Sequence, residues 1–208
     1  FSIGVSAGTA IPVGLWGKKD AQDYKSNGFT QLGQSYNLSL SYKLNRGNFG
    51  LTSLIGRQIN TVDTEAFANA YSENNEGETY TIESDDWRVN QFLVGGFYSN
   101  PVTKKLDIDV KALLGAVHAN RPAIDVFDGN SNFTSSSGAS STALAYSLGV
   151  GIKYHLGKRL NFLVNADYLY SKPEFDVNEV FNAQPIGNSV FSQSISSINL
   201  SVGIAVKL

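Results

Sequence analysis

The sequence INLSVGIAVKL at residues 198–208 alternates strictly between large apolar side chains and small or polar ones. Alternation with period two is typical of a β-strand that has one apolar face. Ile, Leu and Val occupy one face of this stretch, and Asn, Ser, Gly, Ala and Lys occupy the other. The closing segment therefore predicts a strand whose one face contacts an apolar core or medium along its full length.

The same alternation recurs along the chain and predicts about eight strands. It is clear in the segments at residues 1–13, 36–44, 106–115, 144–155 and 160–168, and weaker at 49–59 and 87–98. In the weaker segments Leu54, Phe92 and Val94 fall out of step, and we expect a β-bulge to account for this. The sequence thus predicts an all-β fold, with one barrel domain over residues 1–208.

The connections between these segments alternate between short and long. Turn-forming residues mark the short ones, at residues 45–48, 99–105 and 157–159. The long ones fall at about residues 15–34, 60–86, 118–142 and 171–194. In a closed antiparallel barrel this pattern places every short turn at one end. Transmembrane barrels of the bacterial outer membrane have this layout, with short periplasmic turns and long extracellular loops.

The apolar phase is too bulky to fit inside an eight-stranded barrel. Such an interior holds only a few layers of side chains, whereas each strand offers five or six large apolar residues. The other phase is rich in Gly, Ser, Ala and Asn, which suits a narrow lumen and makes a poor water-facing surface. We therefore expect the apolar phase to face lipid. The sheet must then close, so that every backbone N–H and C=O group within the membrane is paired. A soluble lipocalin-like carrier is the structural alternative.

Composition excludes several other classes of protein. The 208 residues include no Cys, so the chain has neither a disulfide framework nor a Cys-based metal site. The formal net charge is -2 without a basic stripe, so nucleic acid is not an expected partner, and we expect no cofactor. No apolar run approaches the roughly 18 residues of a membrane helix. The chain does not open like a signal peptide, and we expect a mature chain, with its signal peptide removed, integral to the bacterial outer membrane.

Aromatic residues fall where the strands should meet the two membrane surfaces. Outer-membrane barrels carry girdles of aromatic side chains at both interfaces. The candidate interface residues are Trp16, Tyr36, Tyr42, Trp87, Phe97, Tyr154 and Tyr168.

The whole chain resembles the small outer-membrane β-barrels of the OmpA/OmpX-like type, and especially the outer membrane beta-barrel proteins of Bacteroidota. The opening segment 1–8, the segment 146–154 with its Gly-x-Gly, and the closing segment 199–208 carry the resemblance. The closing segment is similar to the C-terminal signal read by barrel-assembly machinery, but it ends in Leu208 where many proteobacterial barrels end in Phe. The resemblance implies a fold rather than an activity. It also implies that such barrels act alone or as accessory subunits of larger complexes.

Charged residues on the small-residue phase form a candidate lumen network. They are Lys43, Arg88, Asp107, Asp109, Lys111, Lys153 and Asp167. Buried charges must pair, because desolvation of a lone charge is costly. The narrow lumen favours a salt-bridged plug over a gated ion path.

One long connection is strongly acidic and has no Lys or Arg. Its carboxylates are Asp63, Glu65, Glu73, Glu76, Glu78, Glu83, Asp85 and Asp86. Such a loop can bind divalent cations or a basic partner, although no calcium-loop spacing is present and a solvated, repelling loop is the simpler interpretation. The alternation at Tyr80 and Ile82 predicts that part of this connection is strand beyond the membrane.

The only histidines, His118 and His155, offer the one hint of catalysis. Some small outer-membrane barrels modify lipid A with His and Ser or Asp, and His118 lies at the loop end of its strand. No partner is adjacent in the sequence, and a catalytic set needs hydrogen-bonded partners. The doublet Gly95-Gly96 and the run Gly149-Val150-Gly151 precede no helix, so they indicate close backbone approach rather than a phosphate loop.

The sequence favours a non-enzymatic outer-membrane barrel that acts as a membrane-anchored surface or structural protein, or as an accessory subunit of a larger complex. The long loops and the lack of a catalytic constellation support this hypothesis. Expected partners are outer-membrane lipid or lipopolysaccharide and other outer-membrane proteins. A narrow ion or small-solute channel, a lipid A-modifying enzyme and a soluble lipocalin-like carrier are the alternatives.

Overall fold

The computed structural model describes residues 1–20, 27–44, 47–74, 79–129, 131–181 and 184–208. Glu76 and Glu78 lie outside these ranges. No helix in the described ranges has the length and apolar content needed to cross a membrane. The elements are β1 (Ser2–Pro12), α1 (Gly14–Gly17), β2 (Thr30–Lys43), β3 (Phe49–Val62), α2 (Thr64–Asn74), β4 (Tyr80–Ser84), β5 (Trp87–Thr103), β6 (Leu106–Arg121), β7 (Ile124–Asp128), β8 (Ser131–Ser136), β9 (Ala139–His155), β10 (Leu160–Ser171), β11 (Glu174–Phe181), β12 (Gln184–Ser192) and β13 (Ile195–Lys207).

Eight of these strands close into an antiparallel barrel. Their order is β1, β2, β3, β5, β6, β9, β10 and β13, and β13 pairs with β1 to complete the cylinder. The short connections after β2, β5 and β9 lie at one end, called here the turn end, and the long ones lie at the opposite loop end. Leu208 N donates to Phe1 O over 3.0 Å, so the two ends of the described chain meet at the turn end. The predicted closed barrel is confirmed.

A continuous series of cross-strand pairs fixes the register. Starting at Ser2 and stepping from strand to strand, the pairs return to β1 at Pro12, ten residues further along. The intermediate steps are Ser41, Thr52, Gly95, Leu113, Ser147, Leu169 and Ser197. Such a displacement tilts the strands against the barrel axis, in general by roughly 35–45°. Rows of cross-strand partners therefore climb toward the loop end from β1 through β2, β3, β5 and β6 to β9.

The apolar phase faces outward, as the sequence predicts. Along β13, Leu200, Val202 and Ile204 are exposed, whereas Asn199 and Ser201 are buried. The same division holds in β1, β2, β9 and β10. This orientation is the reverse of that in a soluble carrier barrel, which keeps its apolar phase inside.

The predicted bulge in the two weaker strands is wrong. Residues 49–60 of β3 pair with residues 87–98 of β5 without any register shift. Leu54 and Leu93 instead point into the barrel, where their exposed fractions are 8% and 1%, and Phe92 points outward with 55% exposed. The alternation looks broken because both faces of these strands carry large apolar residues.

The long connections build a second sheet on the loop end of the barrel. Its order is β12, β11, β8, β7 and β4. Each of these strands is separated by two residues from the barrel strand that it extends, and the order matches that of β13, β10, β9, β6 and β5. Pro122 and Pro173 fall in two of the breaks, where a residue without an N–H interrupts strand pairing. We call this sheet, together with α1 and α2, the loop-end cap.

Helix α2 is not predicted by the sequence pattern, although Asp63 provides a start signal. Its carboxylate accepts a hydrogen bond from Ala66 N over 3.1 Å, which caps the helix, and it also pairs with Lys19. The helix packs on the cap through rings. Phe67 stacks on Phe29 with 4.7 Å between centroids, and Tyr71 meets Tyr80 edge-on at 5.0 Å.

The contacts of Asp63 predict that helix α2 is sensitive to acid. The hydrogen bond from Lys19 holds the pKa of the Asp63 carboxyl below its ordinary value, since the charged form is favoured in the folded chain. The resulting stability is complete above about pH 4, where the unfolded carboxyl is ionised, and is lost as the pH falls through the lower folded pKa. We expect amide hydrogen exchange in α2 to accelerate below that range, before the barrel strands lose protection.

Two variants separate the contribution of the hydrogen bond that caps α2 from that of the ion pair with Lys19. Asp63→Ala removes both, and we expect it to destabilise α2 by about 1 kcal/mol or more. Asp63→Asn keeps a capping oxygen but loses the ion pair, so it should cost less and abolish the acid sensitivity. Equal exchange rates in both variants and the wild type would show that Asp63 does not hold the helix.

Candidate functional site

The turn-end half of the lumen is a polar cavity of about 500 Å³ that opens at the turn end. Hydroxyl and amide side chains line part of its wall, among them Ser39, Ser41, Asn161 and Asn165, and charged side chains line another part. We call this cavity the vestibule. It ends toward the loop end at Leu54 and Leu113.

Two lysine–aspartate pairs cross the vestibule. Lys111 Nζ lies 2.9 and 3.0 Å from the two carboxylate oxygens of Asp167, and Lys153 Nζ lies 2.6 Å from Asp109. Ser99 Oγ donates a further hydrogen bond to Asp109. Since both pairs are largely shielded from solvent, each charge depends on its partner for the solvation that it loses.

Gly149 leaves the space that the Lys111–Asp167 pair occupies. A Cβ added at this position would lie 1.8 Å from Asp167 Oδ1 and 2.7 Å from Lys111 Cε. This agrees with the expectation that glycines on the inward phase permit close approach in a crowded lumen.

His155 and Asp107 form a third contact near the vestibule mouth. His155 Nε2 lies 3.2 Å from Asp107, and Nδ1 lies 2.6 Å from Asn161 Oδ1. Lys43 lies at the same mouth, where its side chain is exposed. The candidate lumen charges therefore gather in the turn-end half, with one exception.

The exception is Arg88, whose predicted place in the lumen is wrong. It lies on the same face of β5 as Phe92 and Val94, and its side chain is exposed on the outside of the barrel. The error has the same origin as the predicted bulge. If Val89 and Leu93 faced lipid, Arg88 would lie in the lumen. In the structure Val89 and Leu93 face the lumen, and Arg88 faces outward.

A cluster of apolar side chains packs in the loop-end half of the lumen and continues into the cap. Leu93, Val89, Val117 and Leu169 are at most 1% exposed. Above them Trp16 packs edge-on against Trp87 with 6.3 Å between ring centroids, and Trp87 packs against Phe175 at 5.8 Å. Gln58 and Ser197, also fully buried, hydrogen-bond to each other over 3.1 Å. We call the cluster of apolar side chains in the lumen and the cap, without this polar pair, the apolar plug.

Three of the candidate interface aromatics belong to the interior instead. Trp16 and Trp87 are buried in the apolar plug, where their large rings pack between the lumen and the cap. Phe97 faces the vestibule, where Lys153 Nζ lies 5.7 Å from its ring centroid. The other four lie on the outward phase: Tyr36, Tyr42, Tyr154 and Tyr168.

The described residues of the acidic connection are spread over the cap. Asp63 caps α2, Glu65 and Glu73 lie on that helix, Glu83 lies on β4, and Asp85 and Asp86 join β4 to β5. In the described ranges, no three His, Asp or Glu side chains come close enough to hold a metal ion.

The charges of the chain are strongly divided between the two ends. Fifteen of the 18 Asp and Glu residues fall in the loop-end connections at residues 13–29, 63–86, 122–138 and 172–194, and only four lysines accompany them. The other three carboxylates are the vestibule residues Asp107, Asp109 and Asp167. The turn-end mouth is instead lined by cations, namely Lys43, Lys104, Lys158 and Lys207.

His118 lies on the outside of the barrel rather than in the lumen. Its Nδ1 lies 2.9 Å from Thr142 Oγ1, and Thr142 is its cross-strand partner on β9. In the part of the chain that the structure describes, this hydroxyl is the hydrogen-bonding partner of the imidazole. A hydrolytic triad also needs a group that orients the histidine.

His118 belongs to an outward-facing polar row that the sequence reasoning missed. Tyr36, Arg57, Asn90, His118 and Thr142 are successive cross-strand partners on β2, β3, β5, β6 and β9. The signal was the presence of polar residues on the apolar phase near the loop end of several strands. It was hidden because the phase of β3 and β5 was ambiguous.

The closed barrel with an apolar exterior and small or polar side chains on most inward positions defines a transmembrane β-barrel of the outer-membrane type. The chain is similar in structure to Neisserial surface protein A, with a TM-score of 0.54, 16% identity, and 100% of this chain and 96% of that chain covered. It is also similar to a major outer membrane protein from Thermus thermophilus, with a TM-score of 0.56, 14% identity, and 100% and 98% covered. No protein-family model and no curated protein matches the sequence.

The Lys111–Asp167 pair predicts strongly non-additive effects on stability. We expect Lys111→Met to lower the free energy of unfolding by about 3 kcal/mol, because it leaves Asp167 shielded and unpaired. Asp167→Asn should destabilise less, since an amide retains polar contacts. The double variant should be more stable than Lys111→Met, and urea unfolding of the barrel in lipid vesicles measures all three. Additive losses would show that the two side chains do not depend on each other.

Proposed function

We propose that this chain is a non-enzymatic integral barrel of the outer membrane that presents an acidic binding surface to a partner protein outside the membrane. It acts as a membrane-anchored surface protein or as an accessory subunit of a larger outer-membrane complex. The observation that carries this proposal is the concentration of fifteen of the 18 carboxylates in the loop-end connections. A surface of one charge sign attracts a partner of the opposite sign and sets its orientation.

The architecture of the cap supports a binding role. Its strands extend the barrel strands, and Tyr80, Ile82 and Val126 pack together beneath α2. On β11 the exposed Glu174 and Asp176 alternate with the buried Phe175 and Val177. A preformed surface loses less conformational entropy on binding than a flexible loop does.

The lumen supports an anchoring role rather than transport. The apolar plug packs across the loop-end half, while the vestibule opens only toward the turn end in the described structure. His118 faces outward and hydrogen-bonds to Thr142. Among the described residues no carboxylate orients this histidine, so the hypothesis of a lipid A-modifying enzyme is not supported by a catalytic set.

Neutralising exposed carboxylates of the cap tests the binding surface. The variant carries Glu83→Gln, Glu174→Gln and Asp176→Asn, all exposed on outer faces of cap strands. We expect the dissociation constant for the partner to rise between roughly threefold and 150-fold, because three exposed ion pairs at about 0.2–1 kcal/mol each contribute about 0.6–3 kcal/mol. Native mass spectrometry of the protein extracted from its own outer membrane in mild detergent measures the stoichiometric complex.

Thr81→Ala with Asn178→Ala is the matched control, since both residues are exposed on the same two strands and carry no charge. The control should keep the complex, and rising salt should weaken it as surface charges are screened. A lone barrel at low salt, or a complex unchanged by the charge variant, would contradict the proposal.

The closed lumen also predicts the absence of ion conduction. We expect planar-bilayer recordings of the purified protein to stay at background, because apolar side chains exclude hydrated ions from the plug. An open porin inserted in the same bilayer is the positive control. Reproducible unitary currents would contradict the closed lumen and favour the channel alternative.

A further inference from the structure

A cluster of cationic and hydrogen-bonding side chains lies on the outside of the barrel near its loop end. Asn90 on β5 is paired across the strands with Arg57 on β3 and with His118 on β6. Arg88 lies two residues from Asn90 on the same face, and both arginines are exposed. Diagonal neighbours in a sheet lie roughly 7–8 Å apart, so long side chains at these positions can reach one common ligand.

A groove of about 900 Å³ runs along this cluster on the outer surface. One side of the groove is apolar and is formed by Val5, Leu38, Ile55 and Phe92. The other side is the outward-facing polar row of Tyr36, Arg57, Asn90, His118 and Thr142. Because rows of partners climb toward the loop end, the groove rises from β13 and β1 toward the cationic cluster.

The arginines lack a counter-charge in the described part of the protein. No carboxylate in those residues forms an ion pair with Arg57 or Arg88, although the neighbouring cap is rich in acidic side chains. Beside Arg57, the outward residues Ile55 and Phe92 are 52% and 55% exposed, as expected of a surface that meets hydrocarbon. A guanidinium at such an edge is stabilised by an anion, and its fork matches two oxygens of a phosphate group.

We propose that the groove binds a phosphate-bearing lipid of the outer leaflet, with its phosphate at Arg57 and Arg88 and an acyl chain along Val5, Leu38, Ile55 and Phe92. Asn90 and His118 supply further hydrogen bonds to the head group. The site goes beyond the acidic surface of the cap, because it faces the membrane and recognises charge of the opposite sign.

The shape of the site indicates a lipid rather than a protein or a free anion. The cations lie on the phase that contacts the membrane, so a partner in solution has no direct access to the apolar side of the groove. Inorganic phosphate could bind the arginines but would leave that apolar side without an occupant. A molecule with an anionic head and an acyl chain satisfies both sides.

Diphosphorylated lipid A and its dephosphorylated form provide a matched pair of probes, because their acyl chains are identical. The full chain in mild detergent is titrated with each, and native mass spectrometry counts the bound lipid. We expect the phosphorylated form to bind at least tenfold more tightly. Arg57→Ala with Arg88→Ala should weaken that binding by about 25-fold, since each cation near a membrane surface contributes about fivefold.

Three further variants separate the roles of charge, geometry and apolar contact. Arg57→Lys with Arg88→Lys should recover part of the affinity, because the charge stays but the forked geometry is lost. Ile55→Ala should weaken binding of lipid A and leave binding of inorganic phosphate unchanged. Arg159→Ala, which removes an exposed cation at the turn end, should have no effect.

Three outcomes would overturn the proposal. They are equal affinity for the two forms of lipid A, undiminished binding by the double alanine variant, and inorganic phosphate binding as tightly as the lipid. The last result would define a free-anion site. Resistance of each variant to unfolding by SDS at room temperature, with heat-dependent migration on a gel, verifies that its barrel is intact.

Discussion

Closure of the backbone pairing is the constraint on which the rest of this structure depends. Hydrocarbon offers no hydrogen bonds to a free N–H or C=O, so every strand that crosses it needs a partner on both sides. The pairing of β1 with β13 meets that need and allows the outward phase to be apolar except near the loop end, where the outward-facing polar row and Arg88 lie. The same closure, with its displacement of ten residues, fixes a narrow lumen whose inward side chains must fit one another.

The two halves of the narrow lumen contain different kinds of side chain. At the turn end, charged side chains are tolerated because Lys111 meets Asp167 and Lys153 meets Asp109, with Gly149 leaving space. At the loop end, Leu93 and its neighbours pack without charge and merge with Trp16 and Trp87 of the plug. One continuous core therefore runs from the barrel into the cap and packs the second sheet onto the barrel.

The two ends of the molecule carry opposite charge, and this asymmetry organises the proposed contacts. Carboxylates dominate the loop-end connections, whereas lysines surround the vestibule mouth. The outward-facing polar row adds a separate feature, because Arg57 and Arg88 project toward the membrane rather than into the acidic cap. A soluble basic partner and an anionic lipid can thus be recognised by different faces without competing for the same side chains.

The sequence by itself determined the barrel, because alternation and turn spacing are local patterns that one strand displays on its own. It placed Asp107, Asp109 and Lys111 on one face of a strand, but it did not determine which lysine meets which carboxylate. It misassigned the facing of β5, and with it Arg88, Trp87 and Phe97, because both faces of that strand carry bulky residues. Only the tertiary structure decided these points. Whether a large side chain faces lipid or joins the plug depends on residues across the lumen, which lie far away along the chain.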